Sequence, residues 1–249
     1  MHNIIIMIMM VLSLLMSTPL TSRQPVLTLP LYDDFEEPSY LITDNQTSPN
    51  GKWFNKYSGF GICGTATVES SSSSTSSNNN NTVFYEKPKT STDRNETHAA
   101  LTLTTQVFED LEMHLKVKTS QQLRQNSTPN PWEVAWLMWR YQDDWHHYYF
   151  TLKPNGIELG KKQNENHAEA QIFLYTANEP KLQMNEWNTW YLKMSGNHIE
   201  VWLEIADNSW QRVVNYYDDD PIIGQGKIGL YTEDASVQFD DVYISPLTS

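Results

Sequence analysis

The sequence predicts an all-β chain folded as a two-sheet antiparallel sandwich, and three observations predict it. Apolar residues beyond position 110 recur with period two, the alternation that lays one face of a strand on a core. The runs are separated by turn chemistry, with Pro154-Asn155-Gly156, Ser195-Gly196-Asn197 and Gly224-Gln225-Gly226 as the clearest cases. No stretch outside the N-terminal apolar run sustains a 3.6-residue period for three turns, so helices have no signal.

The cleanest strand is 111–118, where Leu111, Met113, Leu115 and Val117 alternate with Glu112, His114, Lys116 and Lys118. Over 132–141 both rows are apolar, Val134, Trp136 and Met138 against Ala135, Leu137, Trp139 and Tyr141, which predicts a strand covered on both sides. Further strands are expected at 148–153, 157–161, 170–175, 187–194, 199–205, 227–232 and 237–244. Residues 31–68 carry Trp53, Phe54, Tyr57 and Phe60 but no complete set of strands, so they are assigned to the later core. The tract at 69–82, ESSSSSTSSNNNNT, has no apolar surface to bury; it reads as a solvated loop within one domain, with a domain linker as the alternative.

Residues 4–16, IIIMIMMVLSLLM, suit the apolar region of a signal peptide and fall short of the ~20 residues that span a bilayer. The expectation is a leader at 1–22 followed by a single domain at 23–249, secreted or at the cell surface, with no membrane span in the mature chain; a retained N-terminal anchor is the alternative. Cys63 stands alone, so an exported domain must rely on its core or on a metal rather than on an intrachain disulfide. Lys and Arg total 17 against 30 Asp and Glu, a net charge of −13, which leaves few cations for the clustered basic surface that nucleic acid requires and argues against such a partner. Sequons begin at Asn45, Asn80, Asn95 and Asn126, all in polar stretches.

The segments AWLMWRYQDDWHHYYFTLKPNGIELGK (135–161), EWNTWYLKMSGNHIEVWLE (186–204) and GQGKIGLYTEDASVQFDDVYISP (224–246), with YDDFEEP (32–38) and Trp53 ahead of them, resemble the laminin-G-type jelly rolls of the concanavalin A-like superfamily. Within it they are most similar to the 3-keto-disaccharide hydrolase-type domains of secreted proteins. The resemblance implies two curved sheets, a face that often meets saccharide and, in many members, a Ca²⁺ holding the first strand to the last. Such patterns identify a fold better than an activity.

The residues themselves offer several sites. The E-x-D-x-x-E strand of β-glucanases is missing, as are G-x-S-x-G and H-E-x-x-H, so no complete catalytic constellation is present; Glu112, His114 and Glu158 remain the candidate acid–base groups. Residues 59–64 spell G-x-G-x-x-G, but they lead into a Thr/Ser/Asn tract and not a helix, which argues for a glycine-rich loop at a sandwich edge rather than dinucleotide binding. His146 and His147, as strand neighbours, point to opposite faces and cannot share an ion; both are expected at a loop or rim. Asp218, Asp219 and Asp220 read as a charged turn. Asp33, Asp34 and Glu36 near the start, with Asp240 and Asp241 near the end, offer hard oxygens suited to Ca²⁺ if first and last strands pair; a solvated acidic edge is the alternative.

For saccharide, a pyranose stacks on Trp or Tyr while charged groups take its hydroxyls. By strand phase Trp136 and Arg140 share a face, joined by His114 with Glu112 and Lys116, by Tyr149 and Lys153, and by Trp145 near the rim; burial of Trp136 in the core is the alternative. Three functions compete: a non-catalytic module binding carbohydrate or another extracellular ligand, a sugar-acting hydrolase, and a structural adhesion protein.

Overall fold

The computed structural model describes residues 29–69, 80–164 and 171–247. The proposed leader and residues 70–79 of the polar tract lie outside these. Among the described residues there are sixteen strands and no helix. In chain order they are β1 (Leu31–Asp33), β2 (Gln46–Thr47), β3 (Trp53–Tyr57), β4 (Ile62–Glu69), β5 (Asn80–Lys87), β6 (Ala99–Thr104), β7 (Leu111–Gln122) and β8 (Ala135–Asp143). Then come β9 (His146–Lys153), β10 (Gly156–Gln163), β11 (Ile172–Ala177), β12 (Asn188–Ser195), β13 (His198–Ala206), β14 (Ser209–Tyr217), β15 (Lys227–Glu233) and β16 (Ala235–Pro246).

They form two antiparallel sheets, β14-β13-β12-β7-β16-β5-β4 with β1 added beside β16, and β11-β10-β9-β8-β15-β6-β3-β2. Consecutive hairpins build each flank, while β15 and β16, joined at a single residue, step from one sheet to the other.

The core follows from the alternation. Leu111, Met113, Leu115 and Val117 of β7 are buried between the sheets and the residues between them are half-exposed. At about 1.5–3 kcal/mol for each buried aliphatic side chain, this one strand supplies a substantial share of the driving force. Across the interface Trp139 of β8 donates its indole N–H to Met194 Sδ at 2.8 Å, and Phe150 of β9 meets Trp190 of β12 edge to face at 5.2 Å. At the other end Phe35, Trp53 and Phe84 pack together, so the N-terminal segment does join the main core.

The structure departs from the sequence expectations in two places and agrees with them at the glycine run. β14 was not anticipated: its first four residues are all exposed, so no alternation marks it, and it is held as an edge strand by its hairpin with β13. The polar tract is not all loop, since Glu69 pairs with Asn80 and Thr82 lies buried in β5. The glycine run at 59–64 opens β4, and a Cβ on Gly61 would lie 2.0 Å from the Lys87 carbonyl oxygen. Those glycines let two backbones approach, which is the edge-loop role and not a phosphate cradle.

Candidate functional site: the outer face of the second sheet

Residues of β8, β9, β10 and β15 that point away from the core line an open groove. Its larger part has a volume of about 450 Å³ and is bounded by Trp132, Trp136, Lys153, Glu158, Phe173 and Glu233. A second part of about 220 Å³ continues past Trp136 and Glu233 to Tyr57, Met138, Tyr141, His147 and Lys162.

Its aromatic wall is Trp136, which is 3% exposed and packed on a buried cluster. Trp136 lies against Tyr149 with ring centroids 4.7 Å apart, and Tyr231 meets it edge-on at 5.7 Å. The Trp136 indole N–H donates to the Trp132 carbonyl at 2.8 Å, which ties the 132 loop over the floor. Tyr149 has room because residue 160, its neighbour across the β9–β10 hairpin, is glycine: a Cβ there would sit 2.2 Å from the Tyr149 hydroxyl.

Two carboxylates face the same space. Glu158 accepts from the Tyr149 hydroxyl at 3.1 Å and from the Lys153 ammonium, a buried ion pair braced by a neutral donor. Glu233 accepts from the Tyr231 hydroxyl at 2.5 Å. Burial raises the Glu233 carboxyl above its ordinary range, and neighbouring Asp234 adds to this against the opposing pull of the Tyr231 hydrogen bond and of Lys162. The groove therefore holds one ion-paired carboxylate and one whose carboxyl is shifted upward by burial, an asymmetry suited to general acid–base work as well as to gripping hydroxyls.

Beneath Glu233 lies a buried network. Arg124, threaded between two carboxylates, donates to Glu133 at 2.5 Å and to Asp234 at 2.7 Å. Asp234 also accepts from the Ser91 hydroxyl and from the His98 backbone N–H. It stands at φ 44° in the one-residue turn between β15 and β16, where its hydrogen bonds hold a conformation unfavourable to a non-glycine residue. This network fixes the C-terminal end of β15, and with it Glu233.

The predicted site residues divide. Trp136, Lys153 and Glu158 come together as lining of the groove, with Tyr149 fully buried behind Trp136 and bonded to Glu158. Arg140 does not join them: a register shift near the end of β8, with Arg140 at φ 46°, turns its guanidinium to the Ile222 carbonyl (2.6 Å) and Asp110 (2.7 Å), where it is 2% exposed. Trp145 stands in the β8–β9 turn with the Lys162 ammonium 5.5 Å above its ring. Glu112, His114 and Lys116 belong to β7 in the other sheet and point outward from it, on the opposite side of the sandwich.

His147 is buried instead of rim-exposed, stacked on Tyr141 at 5.5 Å, and burial lowers its pKa to about 4, so it is a neutral wall of the groove. Asp218 is more than a charged turn. Burial alone would raise its carboxyl, yet Lys161 (2.8 Å) and the Tyr148 hydroxyl (2.7 Å) outweigh burial and hold it below the usual range. Glu233 escaped sequence reasoning because it ends a strand beside Asp234 with no motif around it; the signal present was Tyr231 two positions earlier, on the same strand face.

The five expected calcium ligands are brought near the β1–β16 seam, since Leu31–Asp33 pairs with 242–244. Most are already engaged. Asp33 is 1% exposed and accepts from the Trp53 indole at 2.8 Å and Asn50 at 3.1 Å. Glu36 accepts from the Thr82 N–H, Asp240 from Asn81, and Asp241 pairs with Lys116 at 2.6 Å. Among the described residues Asp34 accepts only from the Glu36 N–H and the Tyr32 hydroxyl. Among the described residues no three His, Cys, Asp or Glu side chains are grouped to hold a metal, so this donor set as arranged does not fit an ion wanting six to eight oxygens.

Residues 46–245 match the model of the 3-keto-alpha-glucoside-1,2-lyase-like domain. The chain belongs to that family. The lyase-like domain also resembles solved jelly rolls: the VIP36 exoplasmic/lumenal domain in its Ca²⁺/Man3GlcNAc-bound form (11% identity, TM-score 0.52, covering 84% of this chain and 92% of that one) and a Bacillus subtilis protein of unknown function with a galectin-like fold (10% identity, TM-score 0.50, covering 86% and 97%). A third is the carbohydrate-binding module CBM66 from Bacillus subtilis (13% identity, TM-score 0.49, covering 81% and 97%). No curated protein matches the lyase-like domain in sequence. The VIP36 likeness agrees with the concanavalin A-like sandwich that the resemblance implies.

Proposed function

We propose that this chain is a secreted or surface-attached module that binds saccharide in the groove on the outer face of the second sheet. One observation carries the proposal: Trp136, backed by the buried Tyr149 ring, and the Lys153–Glu158 pair line the same open space as Glu233. An aromatic face takes the C–H side of a pyranose while fixed charges take its hydroxyls. Family membership and the saccharide-bound jelly-roll neighbour support the ligand class. Calorimetric titration with gluco-oligosaccharides tests it. Binding that falls at least tenfold in Glu158→Gln and in Trp136→Phe supports the assignment; binding unchanged in both overturns it.

The asymmetry of the two carboxyl groups favours a second reading, an enzyme acting on the class of substrate in the family's name. A ketone at C3 acidifies the C2 proton; a base removes it, the C1–O bond breaks as the C1=C2 bond forms, and the departing oxygen takes a proton. Glu158 is the only one of the three expected acid–base candidates at the groove and serves as the base, with Glu233 as the acid. Glu112 and His114 have no part in it, being on the other side. Incubation with a 3-keto-α-glucoside, read by release of the aglycone alcohol, decides between the readings; turnover abolished in Glu158→Gln establishes the enzyme, and no turnover alongside tight binding establishes the module.

Calcium belongs to the proposal only through the VIP36 neighbour's Ca²⁺-bound form, against the engaged carboxylates of the β1–β16 seam. Melting with EDTA and with added Ca²⁺ tests it, since an ion bound only by the native state must raise the melting temperature.

A further inference from the structure

The outer face of the first sheet carries a second pocket, of about 280 Å³, whose walls are rings: His114 of β7, Tyr191 of β12, Trp202 of β13 and Trp210 of β14. Four neighbouring strands thus each contribute one aromatic group. His114 stands 4.6 Å from Tyr191 and 6.3 Å from Trp210, and Tyr191 meets Trp202 edge-on at 4.9 Å and Trp210 at 6.4 Å. Trp210 is 39% exposed, so the box opens to solvent along the edge strand.

We infer that this aromatic box binds a small quaternary ammonium group of the choline type. A cation over ring faces gains electrostatically from their quadrupoles and needs no hydrogen-bond partner, whereas a sugar in the same box would leave its hydroxyls facing carbon. The charges around the box fit a cationic occupant. Glu112 accepts from the Tyr191 hydroxyl at 3.0 Å, and Glu112 and Glu200 together make that ring's surroundings negative, adding to burial in raising the Tyr191 pKa to about 12. Of the basic groups on this face, Arg212 is held by Glu200 at 2.9 Å, Lys116 by Asp241 at 2.6 Å, and Lys193 stands across the strands from Glu112. His114, half-buried, favours its neutral form and so adds a ring rather than a charge. The chain's net charge of −13 draws cations toward the surface generally.

The experiment is a tryptophan-fluorescence and NMR titration of the whole protein at constant ionic strength with choline chloride, and in parallel with 3,3-dimethylbutan-1-ol, its uncharged isostere. Saturable binding of choline at least tenfold tighter than the isostere, lost at least tenfold in Trp210→Ala and partly retained in Trp210→Phe, supports the inference. Glu158→Gln, on the opposite face, leaves choline binding unchanged. Equal affinity for the two probes, saturation by glucose or mannose instead, or self-association that buries the Trp202 and Trp210 resonances without choline response would each overturn it. Because Trp210 is on an edge strand, Trp210→Ala is expected to fold; Glu112→Gln, which removes charge without removing a ring, supplies an independent variant and should weaken choline severalfold.

Discussion

The two outward faces of the sandwich are built from the same pleated strands and yet carry opposite chemistry. On the second sheet, ionisable groups sink into the groove and are compensated there: Lys153 meets Glu158, Tyr231 meets Glu233, and Arg124 with Asp234 secures the strand end beneath. On the first sheet the rings lie in the pocket and the ions stand around it in exposed pairs such as Arg212 with Glu200. The difference teaches where each face keeps its energy. Buried ion pairs make the stability of the groove sensitive to the loss of any single partner, whereas the packing of the aromatic box rests on ring area, and loss of an exposed pair beside it costs little stability.

The comparison can be broken most severely at Arg124. Arg124→Met leaves Glu133 and Asp234 buried without their cation and is expected to cost about 3–5 kcal/mol, read as a lower urea midpoint. A loss below about 1 kcal/mol would mean that the two carboxyls simply take up protons. Lys153→Met strands Glu158 with the Tyr149 hydroxyl alone; a cost of about 1.5–3 kcal/mol is expected, and adding Glu158→Gln should recover part of it in a double-mutant cycle.

A third test separates interior from faces by pH. Glu86, fully buried between the sheets near Cys63, is raised by burial to about 8, against the lowering pull of Thr102. Its native state therefore holds a proton that the unfolded chain releases near 4.5, so its contribution falls as pH rises from about 4.5 to 8. His147 acts in the other direction. With its pKa lowered by burial to about 4 from 6.5, the unfolded chain binds the extra proton, and its contribution is lost as pH falls through that interval. Glu86→Gln should flatten the loss of stability toward pH 8, and His147→Phe the loss toward pH 4, each measured by urea unfolding across pH. The smallest effect is expected at the first sheet's exposed pair: Arg212→Ala should change stability by under about 1 kcal/mol by the same measurement.

Much of this architecture was written in the alternation of residues. The two-sheet sandwich and the β7 row follow from period two, because a strand with one wet face must alternate. Trp136, Tyr149 and Lys153 were found by phase for the same reason. Arg140 was lost because a single bulge reverses phase, and nothing local in MWRYQDD announces one. Grouping His114 with Trp136 failed for a deeper reason: phase says whether a side chain faces in or out, but not to which sheet its strand belongs, and that is settled by long-range pairing. β14 was invisible because an exposed edge strand has little to alternate against.

Gly160 shows how a residue without a side chain governs what others do. The space above its Cα is occupied by the Tyr149 hydroxyl, and that placement lets Tyr149 reach Glu158 at 3.1 Å while its ring backs Trp136. A methyl group at this position would lift the tyrosine toward the opening, making the groove shallower and parting the phenol from the carboxylate. Position 160 is thus a depth gauge: Gly160→Ala reshapes the groove by displacing Tyr149 while every lining side chain keeps its identity, which makes it the natural handle for reshaping specificity.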